Sequence, residues 1–242
     1  MTKPDLSRRA LLGAGGALAV AAVVRPRRAL AQAKSPIGII GSGKIGGTVG
    51  ALWIKAGHPV LFSSRHPQEL KSMADSLGPL AKIGTVAEAF AFAPVVLLAI
   101  PYGAYPQFGQ ENAAALKGKI VLDAGNASPA RDGAAIADEV EKDGIGMVSA
   151  KYLPGARIVR AFNTLNYTIL QREANRPAPR LAIPLAGDDA DAVKAAAELV
   201  SDAGFDPVVV GKLADARRIQ RPNVGYGLAV SAAEFKQKLS LP

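Results

Sequence analysis

The chain has 242 residues, a formal net charge of +9 and no cysteine. The absence of cysteine excludes disulfides, thiolate catalysis and cysteine-based zinc sites, and two histidines leave no His-rich metal cluster, so we predict no metal site. Residues 1–31 carry six basic groups and one acid, so about +4 remains for the rest of the chain. That charge gives little support to a nucleic-acid partner, and we predict none.

The first 33 residues have the layout of an export signal. Arg8 and Arg9 precede an uncharged apolar run at residues 10–24, and two A-x-A cleavage motifs end at Ala31 and Ala33. This layout predicts a twin-arginine signal peptide, the twin-arginine translocase as a partner, and a periplasmic or exported protein. The apolar run is shorter than the ~20 residues that span a bilayer as a helix. An uncleaved membrane anchor is the alternative.

A glycine-rich segment follows a short apolar strand. Residues 37–40 lead into the sequence GSGKIG, and a helix and a second strand at residues 59–63 complete a βαβ unit. In such a unit the first glycine permits a tight turn, the second lets the backbone approach a pyrophosphate, and the third lets the helix pack against the strand. The first N–H groups of the helix face the phosphates. The alternative is an incidental glycine turn. The predicted cofactor site consists of Gly41, Ser42, Gly43, Lys44, Ile45 and Gly46.

The end of the second strand indicates which dinucleotide binds. A site for NAD usually has Asp or Glu here for the ribose 2′-hydroxyl, but residues 60–68 contain no acid. They offer Ser63, Ser64, Arg65 and His66, and an arginine flanked by hydroxyl donors pairs well with a 2′-phosphate. This favours NADP as the cofactor. The alternatives are a solvated Arg65 and a His66 that merely faces water, and His58, in the preceding turn, is expected to be solvated.

Strand and helix patterns alternate almost to the end of the chain. Further strands are predicted at residues 94–100, 119–123, 157–162, 181–186 and 205–210, and helices at 103–116, 131–142, 164–173, 189–203, 214–221 and within 224–239. This alternation predicts an α/β fold, a doubly wound Rossmann-type, mainly parallel sheet with a short α/β C-terminal extension. The predicted division is a signal peptide at 1–33, an NADP-binding domain at 35–222 and a C-terminal helical tail at 223–242.

Ligands of open α/β sheets bind outside the carboxyl ends of the strands. The residues at the later strand ends form no base-and-nucleophile pair, which suits hydride transfer because the cofactors then carry the difficult chemistry. Amide and hydroxyl groups can fix a carboxamide and polarise an acceptor carbonyl, so Asn163 and Thr164 are the predicted catalytic residues. A turn role for Asn126 and a helix cap at Asn163 are the alternatives. Further predicted cofactor contacts are Ile100, Pro101, Tyr102, Asn126 and Asn163.

Several segments resemble one family. GSGKIG at 41–46, SSR at 63–65, IPY at 100–102, LDAGN at 122–126 and RAFNTLN at 160–166 are similar to NADPH-dependent reductases of the deazaflavin coenzyme F420, and to the NADPH domain of six-transmembrane ferric reductases. The resemblance covers roughly residues 36–222. It implies phosphate contacts at residues 42–45, 2′-phosphate contacts at Ser64 and Arg65, and nicotinamide contacts at Pro101, Asn126, Asn163 and Thr164. Archaeal reductases of the family often have histidine where this chain has Asn163, and the asparagine form is closer to the ferric-reductase branch.

These observations predict an NADP(H)-dependent oxidoreductase, exported folded, whose small-molecule electron acceptor is a flavin, a deazaflavin or a flavin-coupled metal. The alternative is a module that binds a dinucleotide without turning it over. A hydroxyacid or imine reductase is a third hypothesis, disfavoured because strands continue to residue 210 where those enzymes have a long helical domain. A homodimer stays open as the oligomeric state.

Overall fold

The computed structural model describes residues 34–242, so the predicted signal peptide lies outside the described residues. Eight strands form one sheet in the order β3-β2-β1-β4-β5-β6-β7-β8, in which every neighbouring pair is parallel except β6 and β7. The predicted doubly wound, mainly parallel α/β fold is confirmed. The strands are β1 (Ile37–Ile40), β2 (Val60–Ser63), β3 (Ala81–Gly84), β4 (Val95–Leu98), β5 (Ile120–Asp123), β6 (Arg157–Arg160), β7 (Ala182–Gly187) and β8 (Asp206–Gly211).

Helices cover both faces of the sheet. Short 3₁₀ segments lie at Pro67–Leu70, Tyr102–Ala104 and Leu213–Ile219. The α-helices are α1 (Lys44–Lys55), α2 (Lys71–Leu77), α3 (Val86–Phe92), α4 (Tyr105–Glu111), α5 (Ala113–Leu116), α6 (Pro129–Asp132), α7 (Ala134–Asp143), α8 (Ile145–Tyr152), α9 (Tyr167–Glu173), α10 (Ala190–Asp202) and α11 (Ala232–Lys238).

The central strands are apolar on both sides because each face of the sheet packs on a layer of helices. Successive residues Ile39 and Ile40 of β1 enter two different buried clusters. The first cluster includes Trp53 of α1, and the second includes Phe90 of α3 and Phe235 of α11. Within residues 34–242 no helix is long and apolar enough to cross a bilayer, and no three potential metal ligands cluster.

The structure corrects several predicted elements. Strand β3 was not predicted, because its sequence AKIG lies at the sheet edge and is largely accessible to solvent. Helices α2, α3 and α8 were also missed. The helix predicted at 131–142 is interrupted at Gly133, whose φ of +88° is a left-handed conformation, and the one predicted at 103–116 is divided at Asn112. The segment predicted as a helix at 214–221 is 3₁₀, and the final helix covers only Ala232–Lys238.

The prediction of a solvated His58 is wrong. Its side chain is buried, with Nδ1 2.9 Å from the carbonyl oxygen of Ser35 and Nε2 2.9 Å from Oδ2 of Asp202. Lys34 approaches the other oxygen of the same carboxylate at 2.6 Å. Both ring nitrogens face acceptors, so the ring joins the start of the described chain to the end of α10.

The sheet order reverses direction at β1. The chain runs from β1 outward through β2 and β3, then returns to the other side of β1 with β4 and continues outward. A crevice therefore opens between the carboxyl ends of β1 and β4, where open α/β sheets bind their ligands.

Candidate functional site

The three glycines of the GSGKIG loop have three different surroundings. Gly41 has a φ of +93°, and a Cβ there would lie 2.6 Å from the carbonyl oxygen of Ala99. At Gly46 a Cβ would lie 2.1 Å from the carbonyl oxygen of Gly41. At Gly43 a Cβ would meet no atom within 4 Å. The first and third glycines are thus required by the fold, whereas the second borders open space that a side chain would fill.

This open space lies at the start of α1. The helix has 12 residues, Gly43 supplies no side-chain cap, and its first turn contains no acidic residue. The N–H groups of the first turn lack intrahelical acceptors and lie at the positive end of the helix dipole. Both features suit a diphosphate, so the residues present fit the phosphates of a dinucleotide.

The loop after β2 lies beside the glycine loop. The hydroxyl of Ser42 donates to the carbonyl oxygen of Ser63 at 3.0 Å. The Ser63 side chain does not reach the surface, because it is fully buried and donates to the carbonyl of Ile39 at 2.7 Å. Ser64 Oγ accepts the N–H of His66 at 3.1 Å. Arg65 is exposed and forms no ion pair within residues 34–242, so its guanidinium is available to a ligand.

A pocket of about 350 Å³ lies at the carboxyl ends of β5 and β6. Asn163 and Thr164 are 3% and 2% exposed, and Asn163 Oδ1 and Thr164 Oγ1 have no hydrogen-bond partner among the described residues. Buried polar atoms are normally paired, so two unpaired ones on residues that line a pocket fit a polar ligand group such as a carboxamide. The pocket is lined by Ile45, Ala124, Asn126, Phe162, Asn163, Thr164, Leu165, Asn166, Ile169, Arg221, Tyr226 and Gly227.

The backbone before Asn163 is strained. Phe162 has a φ of +57°, a left-handed conformation that costs a non-glycine residue about 1–2 kcal/mol. Its buried ring holds it there, packing edge-on against Trp53 at 5.8 Å between ring centroids and against Phe205 at 6.3 Å. The carbonyl oxygen of Asn163 accepts Nδ2 of Asn126 at 2.7 Å. The two predicted asparagines are thus brought together, and the helix cap is Asn166, whose side chain accepts the Thr168 N–H.

A buried ion pair supports this end of the site. Arg160 Nη1 of β6 lies 2.6 Å from Asp123 Oδ2 of β5, and both side chains are fully buried. These two atoms have no other hydrogen-bond partner among the described residues. Arg160 Nη2 donates to the carbonyl of Gly125 at 2.5 Å and lies 3.4 Å from Asn126 Oδ1. The Arg160 guanidinium therefore fixes the backbone and side chain beside the pocket.

The charges of this pair affect their neighbours. Tyr105 donates its hydroxyl to Asp123 Oδ1 at 2.7 Å, and burial together with the Asp123 carboxylate raises the pKa of Tyr105 well above its usual value. Burial lowers the pKa of Arg160, but the Asp123 carboxylate more than offsets this, so the net pKa is raised and the guanidinium stays charged. Sequence reasoning missed Arg160. The available indication was a charged residue within a strand whose neighbours are apolar.

The residues after β4 are divided between the crevice and the core. Ile100 is half-buried against the glycine loop, since a Cβ on Gly41 would lie 2.8 Å from its Cγ2, and Pro101 is exposed. Tyr102 does not face the crevice. Its fully buried hydroxyl donates to the Ile145 carbonyl at 3.2 Å, and burial raises its pKa. The prediction that the Tyr102 side chain contacts the cofactor is therefore corrected.

Comparisons with known proteins agree with this geometry. Residues 36–127 match the family described as NADP oxidoreductase coenzyme F420-dependent. Rat metalloreductase STEAP3 is 28% identical over 227 residues, which are 91% of this chain and 41% of that protein, so this chain spans less than half of that relative. The structure of SMa0349 from Sinorhizobium meliloti is 30% identical with a TM-score of 0.71, covering 83% of this chain and 97% of that one.

A protein from Arthrobacter sp. FB24 described as an F420-dependent NADP reductase shares the fold, with 23% identity and a TM-score of 0.62 over 76% of this chain and 88% of that one. The family match covers the glycine loop, the Arg65 loop and the strand ends as far as Asn126. These matches confirm the predicted resemblance to coenzyme F420-dependent NADP oxidoreductases over residues 36–127, and the eight-stranded fold agrees with it.

Proposed function

We propose that this protein transfers a hydride between NADPH and a flavin or deazaflavin acceptor. The observation that carries the proposal is the pair of unpartnered buried atoms, Asn163 Oδ1 and Thr164 Oγ1, on residues that line a pocket at the strand ends. Leaving a buried polar group unpaired costs about 1–3 kcal/mol, and a polar ligand group in the pocket would recover that energy. A module that only tethered phosphates would not need this second polar region.

The residues divide into two groups by the part of NADP that they would hold. Backbone amides of residues 42–45 would bind the diphosphate, and Ser64 and Arg65 the 2′-phosphate. Asn163 and Thr164 would orient the reacting end, with Asn126 holding the carbonyl of Asn163.

The chemistry needs no base from the chain. NADPH held by these residues would supply a hydride, and the acceptor would take it with a proton from water to give NADP⁺ and the reduced acceptor. Ile45 and Phe162 provide an apolar wall, and the polar atoms of Asn163 and Thr164 fix orientation. Orientation is the contribution that hydride transfer between two bound rings requires.

We also propose that the protein is exported folded, with NADP already bound. This rests on the sequence pattern of residues 1–33 and on the mainly cytosolic supply of NADP. Denaturing the periplasmic protein should release NADP into the supernatant. A supernatant without NADP would contradict this proposal and leave the proposed reaction untouched.

Two neighbouring glycines provide a matched test of cofactor binding. Gly43→Ala places a methyl group in the open space before α1, where it clashes with no protein atom but obstructs a diphosphate. Gly47→Ala adds the same methyl at ordinary contact distance, 3.5 Å from the Ser42 carbonyl and 3.6 Å from Met73 Sδ. In calorimetric titrations with NADPH we expect Gly43→Ala to weaken binding roughly tenfold or more, and Gly47→Ala to bind as the parent does. Unchanged binding by a folded Gly43→Ala protein would contradict the site.

Turnover is tested separately. The purified protein is mixed with NADPH and a panel of flavins and deazaflavins, and NADPH oxidation is followed at 340 nm. Oxidation that depends on both protein and acceptor supports the proposed reaction. A bound cofactor that no acceptor oxidises would favour the non-catalytic module.

A further inference from the structure

Three arginines at the end of the last 3₁₀ segment have different partners. Arg217 donates to the carbonyl oxygens of Glu141 and Lys142 at 2.9 and 2.7 Å. Arg218 donates to the carbonyl oxygen of Leu239. Arg221 forms no ion pair within residues 34–242, and its guanidinium carbon lies 4.7 Å from the ring centroid of Tyr226. This cation–π contact holds the guanidinium over the ring, and its N–H groups have no hydrogen-bond acceptor among the described residues.

Arg221 and Tyr226 form part of the pocket wall, and the chain around them is anchored on both sides. Gln220 is buried, and its Oε1 accepts the Ile145 N–H at 2.7 Å. The N–H of Gly227 donates to the carbonyl oxygen of Thr164 at 3.1 Å. The exposed Arg221 is therefore held at the rim of the pocket that Asn163 and Thr164 also line.

The charge of the pocket wall points to an anion. Arg221 is the one charged side chain among the lining residues described for this pocket, and no acid lines it. The phosphate-binding features of the cofactor site, Gly43 and Arg65, belong to the loops after β1 and β2 and are not among those lining residues. A second cation at the reacting end is thus available to the other substrate.

We propose that Arg221, stacked on Tyr226, binds a phosphate or carboxylate group carried by the hydride acceptor and so selects anionic acceptors over neutral ones. This inference rests on the proposed function, because it names the acceptor class for that reaction. A planar guanidinium pairs with either anion through two parallel hydrogen bonds.

FMN and riboflavin test the inference because they share one ring system and differ by a phosphate. Binding of each to the NADP⁺-saturated protein is measured by flavin fluorescence, and kcat and KM are measured with NADPH. We expect FMN to bind about tenfold more tightly than riboflavin, a discrimination suited to one partly solvated charge pair. Arg221→Gln should remove this preference by raising the KM for FMN, while kcat, the KM for riboflavin and the Kd for NADPH stay unchanged. Arg221→Lys should keep part of the preference.

Arg217→Gln is the matched control, since it removes the same charge four residues away from an arginine that already has two carbonyl acceptors. It should keep the parent preference for FMN. Equal binding of FMN and riboflavin by the parent overturns the inference alone if hydride transfer continues. Weaker NADPH binding by Arg221→Gln with an unchanged FMN preference assigns Arg221 to the cofactor and also overturns it. If neither flavin binds a protein that binds NADPH, the flavin acceptor itself fails, and the inference with it.

Discussion

The proposed phosphate end and the proposed reacting end of the site are built differently. At the phosphate end, Gly43 and Arg65 are exposed, and Arg65 has no ion-pair partner within the described residues. At the reacting end, Arg160 is fully buried in an ion pair, and Asn163 and Thr164 are buried beside it. Because of this difference, changes at Gly43 and Arg65 should alter cofactor affinity alone, whereas changes at the reacting end should alter both stability and reaction.

The buried ion pair should give the largest effect. Asp123→Asn removes the charge that Arg160 depends on and leaves a fully buried guanidinium without its counter-charge. Breaking one partner of a buried pair typically costs about 3–5 kcal/mol. We expect a loss of this size in the free energy of unfolding, measured by urea denaturation followed by circular dichroism.

A double variant separates the charge effect from general disruption. Asp123→Leu combined with Arg160→Met removes both charges, and buried pairs replaced by apolar residues are often nearly neutral in stability. The double variant should therefore be more stable than Asp123→Asn. If Asp123→Asn lowers the free energy of unfolding by less than about 1 kcal/mol, the Arg160 charge is compensated in another way.

At the phosphate end the largest effect should be on affinity. Arg65→Glu replaces a predicted attraction to the 2′-phosphate with a repulsion, so the Kd for NADPH should rise roughly 10- to 100-fold. NADH lacks that phosphate and is the internal control. The free energy of unfolding should stay within about 0.5 kcal/mol because Arg65 is exposed. An unchanged ratio of the Kd for NADPH to the Kd for NADH would rule out Arg65 as the residue that binds the 2′-phosphate.

At the reacting end a smaller change should lower activity and raise stability. Thr164→Val replaces an unpartnered buried hydroxyl with a methyl group of nearly the same shape. Removing an unsatisfied buried polar atom should stabilise the free protein by about 1 kcal/mol, measured as a rise in Tm. Hydride transfer should slow because the orienting hydroxyl is lost. A less stable variant with full activity would assign Thr164 a purely structural role.

A half-buried ion pair away from the site should give the smallest effect, and it serves as a reference for the fully buried pair. Asp189 accepts Arg157 at 2.8 and 2.6 Å and caps α10 through the Ala192 N–H. The Arg157 hydrogen bonds, with the backbone N–H, lower the pKa of Asp189 from 3.8 to about 2. A lowered folded-state pKa stabilises above the unfolded-state value, so this contribution is complete above about pH 4 and lost as the pH falls toward 2.

Asp189→Asn keeps the cap but removes the titration. The unfolding free energies of the parent and the variant should differ slightly at neutral pH and converge near pH 2, in denaturation series measured across that range. Curves that stay parallel down to pH 2 would show that another carboxylate carries the acid dependence.

Features encoded by nearby residues were predictable from the sequence. The conformation of the GSGKIG loop is determined by nearby residues, because the turn, the helix start and the following strand lie within 30 residues. The alternation of apolar strands and helices likewise predicted the parallel sheet, apart from the exposed edge strand β3. The β3 sequence, AKIG, could not be distinguished from a loop because it lacks the regular apolar pattern that indicates a strand.

Features made by distant residues were not predictable. His58 is buried because it meets Asp202, 144 residues later, and Arg160 is tolerated in the core because β5 places Asp123 beside it. Tyr102 follows a strand end, as a ligand contact would, but the packing of α8 turns it into the core.

By itself, the sequence determined the sheet class and predicted a phosphate-binding loop and a preference for NADP, since each depends on backbone conformation or charge within a short segment. Only the tertiary structure decided which polar atoms stay unpaired at the pocket and which arginines are occupied. The physical reason is that the pairing of a buried polar group depends on every group that folding brings within about 3 Å, whatever its distance along the chain.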